Sequence, residues 1–252
     1  MRLDLLGIPT TAQTFSEALS TLKGWSLEPG RRYVCTCPVY TLMRAREDAA
    51  LRDALIGADM VTADGMPIVW LQRQQGAPTA QRVYGPDLML ALCESTAAEG
   101  VRHYFWGGRP TRPQSVAERV SESLRRRFPL LEVAGAYSSP IQPLEAQPDP
   151  AVIERINQSD SGVVWVGLGS PKQDVWMRLY RPFLNAPLLI GVGAAFDLIA
   201  GIRQQAPRWM QHRGLEWLFR LTQEPRRLWR RYLIYNPRFM LLLLRERYAR
   251  PK

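Results

Sequence analysis

Through residue 201 the chain alternates short apolar runs with helix-length amphipathic segments, and past Gly201 the alternation stops. The apolar runs fall at 33–37, 60–63, 102–106, 131–134, 163–168 and 188–192. Amphipathic segments lie at 15–24, 41–55, 67–74, 87–98, 113–127, 151–158 and 172–180. Strand followed by helix, repeated in this way, predicts the α/β class with a largely parallel sheet flanked by helices. The stretch 138–150 holds four prolines and reads as an exposed connection, because proline has no N–H for a sheet ladder. There is no internal repeat.

Beyond Gly201 the pattern becomes helical, broken by Pro207, Pro225 and Pro237, and the charge changes at the same place. Residues 1–201 balance 20 Lys/Arg against 20 Asp/Glu, whereas 202–252 set 13 basic residues against Glu216, Glu224 and Glu246. The whole formal charge of +10 therefore sits in the last fifth of the chain. That tail also carries Trp209, Trp217, Trp229, Tyr232, Tyr235 and the apolar run from Phe239 to Leu244. Cations interleaved with large apolar side chains suit an anionic membrane face, where each Lys or Arg contributes roughly 1 kcal/mol. The expected organisation is a catalytic core at 1–201 and a basic, helical, membrane-associating appendage at 202–252.

No uninterrupted apolar stretch approaches the ~18 residues that spanning a bilayer requires. The opening Met1-Arg2-Leu3-Asp4-Leu5-Leu6-Gly7 lacks the pattern of a secretion signal. Cys35, Cys37 and Cys93 are odd in number and read as buried thiols in a reducing cytosol. Together these predict a peripheral protein on the cytoplasmic face of the cell membrane. Lysine occurs only at 23, 172 and 252, so nearly every cation is an arginine, whose guanidinium can hold two phosphate oxygens at once. A basic tail with aromatics also fits a nucleic-acid backbone, but the leucine run would be wasted there, so no nucleic-acid partner is expected. A nucleotide-binding protein without catalysis is the other alternative.

Three segments of the core could carry chemistry. Asp64, in Thr62-Ala63-Asp64-Gly65-Met66-Pro67, lies just beyond a predicted strand, where open parallel sheets assemble their sites. It could equally cap the following helix, as could Asp87 the next. Tyr104-Phe105-Trp106-Gly107-Gly108 leads through a glycine turn into a helix whose N-terminus could receive phosphate. In Val166-Gly167-Leu168-Gly169-Ser170-Pro171-Lys172-Gln173, Gln173 fits a capping box with Ser170 or a contact to a diphosphate. The dinucleotide fingerprint is absent, since Lys172 stands where its last glycine would be. His103, inside a predicted strand, and His212, in the tail, have neither triad nor zinc spacing and read as structural. No Asp-x-Asp or Walker A loop occurs, so no metal site or cofactor is expected. A bound diphosphate would then be neutralised by arginines and helix N-termini. In the tail, Arg220, Arg227 and Arg230 would share one helix face if Pro225 lay near a helix start. They read either as a solvated basic face against membrane or as arginines folded over the site.

These segments resemble the WecG/TagA/CpsF glycosyltransferases, which make bacterial surface polysaccharides and wall teichoic acid. The likeness rests on Asp64-Gly65, Arg82-Val83-Tyr84-Gly85-Pro86-Asp87-Leu88-Met89, Gly167 to Asp174, Gly191-Val192-Gly193-Ala194-Ala195-Phe196-Asp197 and Glu216-Trp217-Leu218-Phe219-Arg220, all in the family's order. It implies a Rossmann-like α/β core and an inverting, metal-independent transfer. The sugar would pass from a UDP-sugar to a polyprenyl-diphosphate-linked saccharide at the inner membrane face. By the same resemblance, Asp64 is the general base, while Thr36, Arg82 and Gln173 contact substrate or diphosphate. Tyr137, Gly193 and Asp197 belong to the nucleotide pocket, to which the glycine turn adds Gly107, and Arg220, Arg227 and Arg230 are the appendage arginines that reach the site. Members commonly show Thr-x-Asn where this chain has Thr36-Cys37-Pro38. Loss of that amide suggests a different sugar, glucose rather than N-acetylmannosamine. Homo-oligomeric assembly is left open.

Overall fold

The computed structural model of the chain describes residues 1–140, 144, 146–207, 209–210 and 213–249. His212 and part of the proline-rich connection lie outside the described residues. Eight strands form one sheet: β1 (Arg2–Leu5), β2 (Ile8–Thr11), β3 (Arg32–Cys37), β4 (Met60–Ala63), β5 (Arg102–Gly107), β6 (Glu132–Tyr137), β7 (Val163–Gly167) and β8 (Leu188–Gly191). Their order is β1-β2-β4-β3-β8-β7-β5-β6, and every pairing is parallel except β1 with β2. The expected α/β architecture is what the chain adopts. The β1–β2 hairpin, which extends one edge, is an addition to it.

The inner strands are buried on both faces, so their residues alternate between two apolar layers. In β7, Val164 and Val166 join one layer, and Val163 and Trp165 the other. The first layer lies under α2 (Val39–Arg44), α3 (Ala49–Ile56), α4 (Met66–Gln74), α7 (Pro150–Gln158) and α8 (Lys172–Tyr180). The second lies under α1 (Phe15–Leu27), α5 (Gly85–Thr96), α6 (Val116–Arg127) and α9 (Ala195–Ile199). The single helix expected over 41–55 is two. Asp48 breaks it by accepting a hydrogen bond from the Leu51 amide at 3.0 Å, which caps α3. His103 is fully buried in β5, where it accepts from the Trp165 indole N–H at 3.0 Å and lies 3.0 Å from the Thr96 hydroxyl. Burial pushes its pKa down to about 4, so it stays neutral and serves the core. All three cysteines are buried and free.

The tail is helical: α10 (Glu216–Gln223), α11 (Pro225–Trp229), a π-helical stretch (Arg230–Ile234) and α12 (Tyr235–Ala249). It is packed on the sheet domain. Phe239 is 1 % exposed within the first apolar layer, and Tyr235 meets Tyr40 of α2 edge-on at 5.1 Å. Trp229, Leu233, Met240 and Leu241 point outward. No helix among the described residues is long and apolar enough to cross a membrane.

Candidate active site

After the neighbouring strands β3 and β8 the chain leaves for opposite faces of the sheet, into α2 on the first layer and α9 on the second, and such a switch point leaves a crevice at the strands' C-terminal ends. A cleft of about 540 Å³ lies there. Its floor comes from the turns after β3, β4, β7 and β8, and its far wall comes from the tail.

Asp64 follows β4 and lines this cleft. It does not cap α4, whose N-cap is Gly65 and which opens with no side-chain cap. The capping alternative therefore falls away. The Asp64 side chain keeps 18 % of its surface, yet its Oδ1 is sealed from solvent and has no hydrogen-bond partner. Burial pushes its carboxyl up to about 6. The Arg82 guanidinium works against that rise, Glu216 adds to it, and Arg220 and Arg231 oppose it.

Arg82 sits beside the carboxylate in an ordered clamp. Its Nε donates to the Asp64 backbone carbonyl at 2.7 Å, and its Nη2 donates to Glu216 Oε2 at 2.6 Å. The guanidinium also stacks on Tyr84, 3.9 Å from the ring centre. The same Nη2 is 3.9 Å from Asp64 Oδ1, an ion-pair distance too long for a hydrogen bond.

Gln173 is 2 % exposed, and its Oε1 accepts from the Gly169 amide at 3.1 Å. The expected capping box with Ser170 is not formed, because α8 begins two residues after it with Pro171 as an N-cap that makes no side-chain bond. Ser170 instead donates to Asp174 at 2.6 Å and lies 2.7 Å from the Thr41 hydroxyl. Asp174 is fully buried, and burial lifts its carboxyl to about 6 against the bonds from Ser170 and the Cys35 thiol. Gly193 takes φ +50°, and a Cβ there would lie 3.2 Å from Gln173 Oε1, so a side chain would be both strained and crowded. Thr36 lines the cleft, but its hydroxyl donates to the Gly191 carbonyl at 2.7 Å and ties β3 to β8. Pro38 lines the cleft as well.

Other expected residues are placed less uniformly. Asp197 lines the cleft but is ion-paired with Arg203 at 3.0 Å and with Arg109 at 3.9 Å. Gly107 is behind the lining, with Gly108 in front. Gly107 takes φ +118°, and a Cβ would meet the Gly167 carbonyl carbon at 2.8 Å, so glycine there lets β5 and β7 close up. Tyr137 ends β6, stacks on Trp106 at 5.2 Å and has Arg155 4.5 Å from its ring centre, outside the cleft lining.

The tail supplies Arg220, Arg227 and Arg231 to the cleft, whereas Arg230 is exposed and lies over Trp229 at 5.2 Å. The helix-face spacing assumed a continuous α-helix. The break at Glu224–Pro225 and the wider π turn from Arg230 re-aim the chain, so Arg231 faces inward. Arg231 lies over the Tyr40 ring at 4.9 Å, and burial lowers its pKa. Glu216 is a second unforeseen member; it is 8 % exposed and comes from the first turn of α10. The sequence carried it as the first residue of the Glu216-Trp217-Leu218-Phe219-Arg220 segment, with no role attached. Among the described residues, no three His, Cys, Asp or Glu side chains gather in a way that could hold a metal ion.

A partly buried carboxylate facing a row of guanidiniums across a strand-end crevice is suited to proton removal next to a departing anion. The family model described as "Glycosyl transferase WecG/TagA/CpsF family" matches residues 3–252. The chain therefore belongs to the WecG/TagA/CpsF family of glycosyltransferases, enzymes of cell-surface polysaccharide synthesis.

Proposed function

We propose that this enzyme transfers a sugar from a UDP-sugar to a polyprenyl-diphosphate-linked saccharide, with inversion and without a metal, at the cytoplasmic face of the membrane. The observation that carries this reading is the Asp64 carboxylate, which lines the cleft together with Arg220, Arg227 and Arg231 and has no hydrogen-bond donor on its Oδ1. An acceptor hydroxyl beside the carboxylate loses its proton to it as the hydroxyl oxygen attacks the anomeric carbon. The bond to the UDP oxygen breaks on the opposite face. A base so placed contributes typically ~10²–10⁴-fold. Negative charge collects on the leaving diphosphate, where the tail arginines and the N-terminus of α8 are in place to stabilise it. The half-buried carboxyl supports the base role, because an aspartate shifted to about 6 is ionised at neutral pH yet more basic than an exposed one.

The outward side chains Trp229, Leu233, Met240 and Leu241, among exposed Arg226, Arg230 and Arg238, favour the tail as the lipid-contacting region. The acceptor's lipid then remains in the bilayer while its saccharide enters the cleft. With Pro38 on the wall, the sugar meets an apolar ring where relatives offer an amide, which favours glucose over N-acetylmannosamine.

The test is incubation of the full chain with anionic vesicles, a short-chain lipid-diphosphate disaccharide and a panel of UDP-sugars. The product is examined by NMR for its anomeric configuration. Product with inverted configuration, unaffected by a chelator, is expected. A retained configuration would remove Asp64 from the base role.

A further inference from the structure

Resting on the reading of Asp64 as the base, we propose that Glu216 is a positioning residue that holds the Arg82 guanidinium off Asp64 and so keeps the carboxylate basic enough to take a proton. The geometry is unequal in a telling way. Arg82 has two carboxylates within reach, and its Nη2 is 2.6 Å from Glu216 but 3.9 Å from Asp64. Its Nε is occupied by the Asp64 backbone carbonyl rather than by the carboxylate. Tyr84 beneath the guanidinium fixes the plane from which those N–H groups point. A short Arg82–Asp64 pair would supply Oδ1 with a donor and draw its basicity down, since an adjacent guanidinium favours the ionised form. Glu216 takes that donor instead, and Oδ1 is left with none.

The groups that face Asp64 come from several elements. Arg82 and Tyr84 precede α5, Cys37 ends β3, Glu216 and Arg220 lie on α10, and Arg231 is the second residue of the π turn. Arg220 and Arg231 are both cations of the tail, so seating the tail without Glu216 would only acidify the base. Glu216 is the tail carboxylate that acts against them on Asp64, while Glu224, also in the cleft lining, is paired with Arg203 and Arg227. The tail therefore supplies both the charge that meets the diphosphate and the counter-charge that keeps Asp64 basic in its presence.

The experiment uses the full chain with Glu216→Gln and Glu216→Asp. Asp64's titration is read first without catalysis, from the pH dependence of the stability difference between each protein and its Asp64→Asn partner. It is read again from the acid limb of kcat/KM. In Glu216→Gln both readings should move down by about 1 pH unit or more, because Arg82 then closes on Asp64. Glu216→Asp, which keeps the charge, should stay close to the wild type. If Glu216→Gln leaves the stability reading in place, or if the Asp and Gln variants shift it equally, the proposal is wrong and Glu216 only fastens the tail. If the stability reading moves while the kinetic limb does not, Glu216 holds Arg82 as stated and Asp64 is not the base.

Discussion

Replacing Asp64 by Asn should abolish turnover and at the same time make the protein more stable. The carboxyl is held at about 6 in the folded chain, against ~3.9 for an ordinary aspartate, so ionising it in place costs about 3 kcal/mol. Between those two values the folded state binds the proton more tightly than the unfolded chain, so this group's contribution falls as pH rises. Asparagine has the same shape and does not ionise. Its advantage should be about 3 kcal/mol at pH 7.5, roughly half that at pH 5 and close to nothing below pH 4. At neutral pH that corresponds to roughly 6–12 °C in Tm for a chain of this size. Urea denaturation of both proteins at pH 7.5, 5 and 4 measures it, alongside turnover at saturating acceptor. An asparagine variant no more stable than wild type at pH 7.5, or one with the same difference at every pH, would refute the idea that function maintains a costly charge at this position.

Arg231→Ala should lower kcat about 10²-fold or more, as loss of one donor to a developing anion does, whereas Arg230→Ala should stay within a few-fold; steady-state kinetics on the pair decides which arginine serves the cleft. Phe239→Ala should destabilise the fold by about 3–5 kcal/mol, read by denaturant titration, and an unchanged midpoint would mean that α12 is not part of the core. Trp229→Glu combined with Leu233→Glu should reduce sedimentation with anionic vesicles while leaving Tm near the wild-type value, since both side chains are exposed. Deleting 202–252 should remove both turnover and vesicle binding, and a fully active soluble truncation would reject the tail's part in the site.

The parallel strands were legible because burial on both faces writes them as unbroken apolar runs, as at β7 and β8. The β1–β2 hairpin was not, for a local reason. Its turn places Leu6 at φ 57° and Gly7 at φ 83°, positions that usually announce themselves as Asn-Gly, and here Leu6 stands in the first of them. Asp4 stabilises the turn by accepting from the Gly7 amide at 3.0 Å. Within the site, Asp64, Gln173 and Gly193 could be read from motifs because strand-end turns are fixed by neighbouring residues. Arg231 could not, since its placement depends on a helix break and a π turn that spacing alone does not reveal; Glu216 stands in a motif, but its bond to Arg82, 134 residues earlier, is a tertiary contact. Tyr137 sits at the end of an outer strand, and its stacking on Trp106 is a tertiary matter that residue order does not carry.

Phe239 is locked among the β-sheet's own side chains, while the next two residues along the same helix, Met240 and Leu241, stand in the open. On the proposed reading, an enzyme that grips lipid through such a helix is not on a leash. It is mounted like a hull on its keel, unable to swivel without pulling a cornerstone out of its own interior. The height of the reaction centre over the headgroups would then be a fixed dimension of the molecule, and only saccharides of matching reach could be served.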